Sequence, residues 1–173
     1  MQRACKHHRK GGTLLETLVA MTIGGMVLAL CMSNYLFLAK STKGLSNYSD
    51  FNSQSRFFLE FFGQDVRSAT EVITASPDYF RISVEQEDGS IIEISYEYDA
   101  ANKRIVRSWE SLQRTLVSDV ATCNFEFLDR NGPANHPSQV RQIAVDAVLK
   151  RKVLQQENTQ ETLSAAVTLR NRT

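Results

Sequence analysis

Residues 17–39 carry no charged side chain, a run of 23 positions in which Leu, Val, Met, Ile and Phe are interrupted only by small or uncharged residues. As a helix rising ~1.5 Å per residue this run measures ~35 Å, enough to cross the hydrocarbon core of a bilayer. Glu16 stands at its entrance. Beyond Lys40 charges return, while Leu45, Tyr48, Phe51, Phe58, Phe61 or Phe62, Val66, Ala69 and Ile73 recur at three- and four-residue steps, with Gln54, Ser55 and Arg56 in the gaps. That period predicts an amphipathic helix over residues 40–75, continuing the apolar run, with Gly24, Gly25 and Gly44 as the expected bending points.

After Ser76, Pro77 and Asp78 the period falls from 3.6 to 2. Residues 79–85 alternate as a strand, and a turn at Gln86, Glu87, Asp88 and Gly89 leads into residues 90–98, where Ile92, Ile94, Tyr96 and Tyr98 share a face. A second turn, Asp99 to Asn102, precedes a strand over 103–109. The three runs predict an antiparallel meander laying one face on the amphipathic helix. Residues 112–117 fit a strand or a helical turn equally. Further strands are expected over 123–128, 140–150 and 163–170, with a polar loop at 129–138 and an exposed connection at 155–160. The expected fold class is therefore α+β: a long N-terminal helix, half in the membrane and half amphipathic, packed on an antiparallel sheet domain.

Charge sharpens this picture. The net charge of +1 is unevenly spread. Arg3, Lys6, Arg9 and Lys10 precede the apolar run with no acid among them, which by the positive-inside bias keeps the first residues in the cytoplasm and sends the chain out. Residues 76–138 hold eleven acids against six bases, and 139–173 six bases against three acids. Such a division suits head-to-tail contact with similar neighbours, and equally suits ordinary solvated strand faces. Of the three cysteines, Cys5 precedes the apolar run, Cys31 lies within it and Cys123 follows it, so no disulfide is expected within the outer domain and Cys123 reads as a small buried hydrophobe.

Catalytic chemistry is not expected. His7 and His8 lie among the leading cations and His136 in a proline-containing loop, with no cysteine pair to join it on a metal. Asp129 and Asn131 before Gly132 lack the closing glutamate of a calcium loop. Glu85, Glu87, Asp88, Glu93 and Glu97 fall on solvated strand faces or turns. Lys150, Arg151, Lys152, Arg170 and Arg172 would form a basic strip if the last two strands pair. No aromatic residue lies between them to stack on bases, so a solvated edge is the preferred reading and nucleic acid is not an expected partner. Neither a cofactor nor a metal is expected.

The basic leader, a glycine, and then G-T-L-L-E-T-L-V-A at residues 12–20 resemble the cleavage and methylation segment of type IV prepilins and type II secretion pseudopilins. The resemblance implies that a prepilin peptidase removes residues 1–11 by cutting after Gly11. Gly12, where the family usually has phenylalanine, would become the new N-terminus, and Glu16 would fall where the family keeps its glutamate. A cut after Gly12 would leave Thr13 first and move Glu16 one residue out of register. The family glutamate meets the freed α-amine of a neighbouring subunit, which makes a carboxylate tolerable in hydrocarbon. A secretory signal peptide fits poorly, because its apolar core is shorter and has no glutamate at its start. A lipoprotein signal would need a small residue where Leu30 precedes Cys31. A plain signal anchor explains the topology but not the spacing from Gly11 to Glu16.

RFFLEFFGQDVRSA at 56–69 and SAAVTLRNR at 164–172 look like the corresponding parts of minor pseudopilins and minor pilins. The resemblance implies domains at 1–11 (leader), 12–39 (transmembrane and assembly helix) and 40–173 (pilin-like domain, helical to 75 and β-rich from 76). It points to a J-class pseudopilin or W-class minor pilin at the tip of a secretion pseudopilus or pilus. Such a subunit is not an enzyme, and spans the inner membrane once with its C-terminal domain in the periplasm or outside the cell. Its expected partners are other minor and major pseudopilins or pilins, the prepilin peptidase, the inner-membrane assembly platform and the membrane. A DNA-contacting competence pseudopilin and an unrelated membrane-anchored binding module are the alternatives.

Overall fold

Helix α1 spans Leu14–Ser68 in the computed structural model, which describes residues 13–86, 88–153 and 156–169, with side chains left aside at 153 and 156–158. By packing, the chain divides between Thr42 and Lys43 into two units. In the first, every described side chain is exposed. In the second, α1 turns Asn47, Phe51, Ser55, Phe58 and Phe62 inward at steps of three and four residues, with Asp65 and Val66 three and four beyond Phe62, so that one helix face is held.

That face differs from the expected one. Leu45 (69% exposed) and Tyr48 (45%) belong to the apolar period but lie off the core. Asn47, Ser55 and Asp65 take inward places because the strands offer each a partner. Asn47 Nδ2 donates to Thr159 Oγ1 at 3.4 Å, Ser55 Oγ to Glu161 Oε1 at 3.4 Å, and Asp65 accepts from Tyr96 and Arg107.

The helix also stops earlier than its period implies. Residues 69–75, expected as its last two turns, form strand β1 (Ala69–Ala75), and the helix of the expected 40–75 segment ends at Ser68. Thr70, Val72, Ile73 and Thr74 are β-branched, which costs side-chain freedom in a helix and suits a pleated sheet. Ala69 and Val72 are buried while Ile73 points out, so Ala69 and Ile73 do not share a buried face as the helical spacing implied.

Strands β1, β2 (Tyr79–Glu85), β3 (Ile91–Asp99), β4 (Arg104–Trp109) and β5 (Leu112–Ser118) form an antiparallel sheet in chain order. The expected meander is β2 to β4, and the undecided stretch at 112–117 is a strand. The turn before β4 works through Asp99, whose carboxylate accepts from Asn102 N (3.0 Å), Asn102 Nδ2 (2.7 Å) and Arg104 Nε (3.0 Å). The Asn102 side chain and backbone amide hold Asp99 at a pKa of about 2.

Asp119, with φ 60, breaks the chain out of that sheet into a second one. This contains β6 (Val120–Asp129), β7 (Gly132–Pro133), β8 (Gln142–Val153) and β9 (Gln156–Thr168) in the order β7-β6-β8-β9. The expected exposed connection at 155–160 is for the most part ladder: Val153 pairs with Gln156 and Lys152 with Glu157. Thr159 is buried there, so its bond to Asn47 rewards extending the strand through residues of low β-propensity. Leu154 and Gln155 lie outside the described residues.

The sheets and helix meet in an aromatic core. Phe80 on β2 stacks on Tyr96 of β3 at 5.0 Å and meets Phe125 of β6 edge-on at 4.9 Å, while Phe62 of α1 lies edge-on to both Phe80 (6.1 Å) and Tyr96 (5.9 Å). Each ring contributes ~1.5–3 kcal/mol by leaving water, and the edge-on contacts add ~0.5–1.5 kcal/mol.

Candidate functional site

Thr13 stands one residue before α1, and three residues before Glu16. Thr13 Oγ1 accepts a hydrogen bond from Glu16 N at 3.3 Å, and Thr13 O accepts the first helical bond from Thr17 N at 3.2 Å. This is the Thr half of a Thr-x-x-Glu capping box, and it puts the Glu16 carboxylate in the first turn, where the helix dipole favours an anion. Thr17 and Thr22 return their hydroxyls to Leu14 O (2.9 Å) and Val19 O (2.8 Å). Both polar residues thereby satisfy themselves within the helix and leave its surface apolar.

Among the described residues no side chain pairs with the Glu16 carboxylate. Gly11 and Gly12, the expected processing residues, lie outside the described residues. Downstream of Glu16, Leu18, Val19, Met26, Leu30 and Phe37 are among many large apolar side chains exposed on all sides of α1. The helix contains a stretch long and apolar enough to cross a membrane. Exposing such surface to water would cost ~1.5–3 kcal/mol per side chain, so a hydrocarbon environment is the one in which this segment is stable.

The polar clusters of the β-bearing unit have structural partners. Arg151, a member of the expected basic strip, is withdrawn from it: Nη1 lies 2.6 Å from Asp50 Oδ2, Nη2 lies 2.6 Å from Asp119 Oδ2, and the guanidinium sits over the Phe51 ring at 4.8 Å. The strip's strands do pair, Lys150 opposite Gln160, while Arg170 and Arg172 lie outside the described residues. Asp129, the first residue of the calcium-loop reading, meets Arg141 at 3.6 Å. His136 Nδ1 sits 2.8 Å from Ser138 Oγ and accepts from Ser138 N, capping a short 3-10 turn, Pro137–Gln139. Of the acids set aside as catalytic candidates, Glu93 holds Arg81 at 3.1 Å and Asp88 accepts from Ser90, while Glu87 lies outside the described residues. Among the described residues no three His, Cys, Asp or Glu side chains cluster as metal ligands. Cys123 is partly buried against the core, and burial pushes its thiol up to about 12, so it is held in the unreactive neutral form.

Two arginine clamps escaped the sequence reading: Arg107 on Asp65, and Arg151 on Asp50 and Asp119. The signal for the first was present. Asp65 lies three residues after Phe62 as the one charge on the buried stripe, and a carboxylate at a core position calls for a cation from another element.

Among the curated proteins, none matches the chain. Residues 6–32 match a family model described as the prokaryotic N-terminal methylation motif, a span that takes in Lys6, Arg9, Lys10, Gly11, Gly12, Glu16 and the first 16 of the 23 residues of the apolar run. The chain thus carries the signature of the prepilin and pseudopilin family, a family of structural subunits, on a long helix joined to antiparallel sheets.

Proposed function

We propose that the protein is a minor pseudopilin or minor pilin of the J or W class, which works by assembly into the tip of a secretion pseudopilus or a type IV pilus. Residues 1–11 are a leader cut by prepilin peptidase after Gly11, residues 12–39 cross the inner membrane once, and residues 40–173 form the domain in the periplasm or outside. The observation that carries this reading is Glu16: a carboxylate in the first turn of an apolar exposed helix, inside the methylation motif, with no cation to meet it among the described residues. The α-amine of a neighbouring subunit supplies that cation, and the pair sets the axial register while the apolar faces supply the packing. Other pseudopilins or pilins and the assembly platform are the partners.

Glu16→Ala is expected to insert into the membrane normally and to lose filament incorporation by about a hundredfold, the effect of leaving the partner amine unpaired in hydrocarbon at ~3 kcal/mol. Immunoblots of sheared filaments against membrane fractions read both quantities, and normal incorporation would refute the register role. Mass measurement of the mature N-terminal peptide tests the cut: a peptide beginning at Gly12 supports the assignment, and an intact leader in assembled protein removes it.

A further inference from the structure

Edge strands invite further strands unless something discourages them. β1 is short, is shifted in register twice against β2 and exposes Glu71. β5 exposes Arg114 at its centre, and its Ser118 N is already taken by Gln54 Oε1 at 2.8 Å. β7 has two residues and ends at Pro133. β9 is different. From Thr162 to Thr168 it reads Thr-Leu-Ser-Ala-Ala-Val-Thr, without charge, proline or glycine, and it pairs with β8 without a register shift from Thr168 back to Thr159.

The ladder says which groups this edge presents. Leu169 N donates to Arg141 O at 2.8 Å, which places the odd-numbered residues of β9 in bonds to β8. By the alternation of an antiparallel strand, Thr162, Ser164, Ala166 and Thr168 turn N–H and C=O to the open side. Among the described residues no group bonds them there. A hollow lined by Arg67, Ala166, Val167, Thr168 and Leu169 opens along this edge. Arg67 also borders a second hollow with Leu59, Glu60, Gly63 and Gln64 on α1, is exposed, and forms no ion pair among the described residues.

We propose that β9 accepts an extended strand from a partner protein, extending the four-stranded sheet, and that a carboxylate on the incoming strand meets Arg67. Main-chain bonds supply the attachment and Arg67 the preference. A second copy of β9 is the poorer occupant, because its residues 162–168 carry no acid and Glu161 beside them is already held by Ser55 at 3.4 Å. This inference concerns the sheet domain and stands apart from the assembly role given to Glu16.

The test uses the full chain in detergent micelles and short blocked peptides of alternating Thr and Val, ended with Glu or with Lys. Amide hydrogen exchange of Thr162, Ser164, Ala166 and Thr168 is expected to be fast in the free chain and slow with the Glu peptide. The Lys peptide should bind about fivefold more weakly, and Arg67→Gln should erase the difference. Ala166→Pro removes an outward N–H without breaking the β8 ladder, and should weaken the Glu peptide about fivefold. Failure of both peptides to slow these amides would overturn the proposal, as would slow exchange already in the free chain. A dimer of the unmodified chain that Ala166→Pro converts to monomer would assign the edge to a second copy and overturn it equally.

Discussion

Arg107 reaches from β4 to α1 with Nε 2.6 Å from Asp65 Oδ2 and Nη2 3.1 Å from Oδ1, while Tyr96 donates to the same Oδ2 at 2.6 Å. Its guanidinium lies 4.5 Å from the Trp109 ring centroid and 5.5 Å from that of Phe61, so two aromatic rings border the cation. Asp65 and Arg107 expose only 8% and 11% of their side chains. A pair this buried stabilises less by its attraction than it would cost by losing one member. Arg107→Met is therefore expected to destabilise the domain by about 3 kcal/mol, since Asp65 would remain buried with Tyr96 alone. Adding Asp65→Leu to Arg107→Met should restore part of that loss, because no charge is then left unpaired and only the buried Tyr96 hydroxyl lacks its acceptor. Urea unfolding of the full chain in micelles, followed by near-ultraviolet circular dichroism, measures both. A single variant as stable as the unsubstituted chain would show that the pair does not hold α1 to the sheet. The motif residues differ in kind: Glu16 is given its place by neighbours in sequence, through Thr13, whereas Asp65 is given its place by residues 31 and 42 positions away.

At the scale of elements, α1 serves two environments with one backbone, and the change shows in which residues are exposed. Up to Thr42 all described side chains are exposed and nearly all are apolar or small, whereas from Asn47 onward one face is buried. A charge placed in the middle of the first stretch should therefore act on insertion and not on the sheet domain. Leu28→Arg is expected to cost ~2.5–3.5 kcal/mol of insertion, visible as protein released by alkaline extraction of membranes, with the near-ultraviolet spectrum of the sheet domain unchanged. Retention of the variant in the membrane fraction would count against residues 17–39 as the spanning segment. The apolar run and the period-2 strands β2 to β4 were legible because each pattern is local and repeats many times. The end of α1 was not, since Ala69 and Ile73 satisfy a helical period and a strand equally over so short a window. What decides there is β2, which offers β1 a partner. Likewise the polar stretch at 155–160 reads as a loop until Asn47 and Ser55 on α1 give Thr159 and Glu161 something to bond. The partners in the clamps were illegible for the same reason: Asp65 signalled that a cation was needed, but sequence spacing carries no record of which strand faces which helix turn.

For the sheet-bearing unit as a whole, carboxylates set the acid limit. Arg151 on β8 joins Asp50 of α1 to Asp119 at the passage between the two sheets, so three parts of the unit meet at one cation. The hydrogen bond from Arg151 holds the Asp50 carboxyl below its usual range, and Asn102 with its backbone amide holds Asp99 at about 2. A carboxyl whose folded pKa is depressed stabilises the fold fully above its unfolded pKa of about 3.9, and loses that contribution as pH falls through the folded pKa. The unit should accordingly hold constant stability from neutral pH down to about 4, then weaken steadily towards pH 2. Because Asp50 is half-exposed, its share is screened, and salt should reduce the effect further. Asp50→Asn removes one titrating member while keeping a hydrogen-bond acceptor for Arg151. The variant should be modestly less stable at neutral pH and show a shallower decline below pH 4 than the unsubstituted chain. Urea midpoints collected across that range measure the slope. An unchanged slope would place the acid sensitivity elsewhere than at the junction of α1, β8 and Asp119.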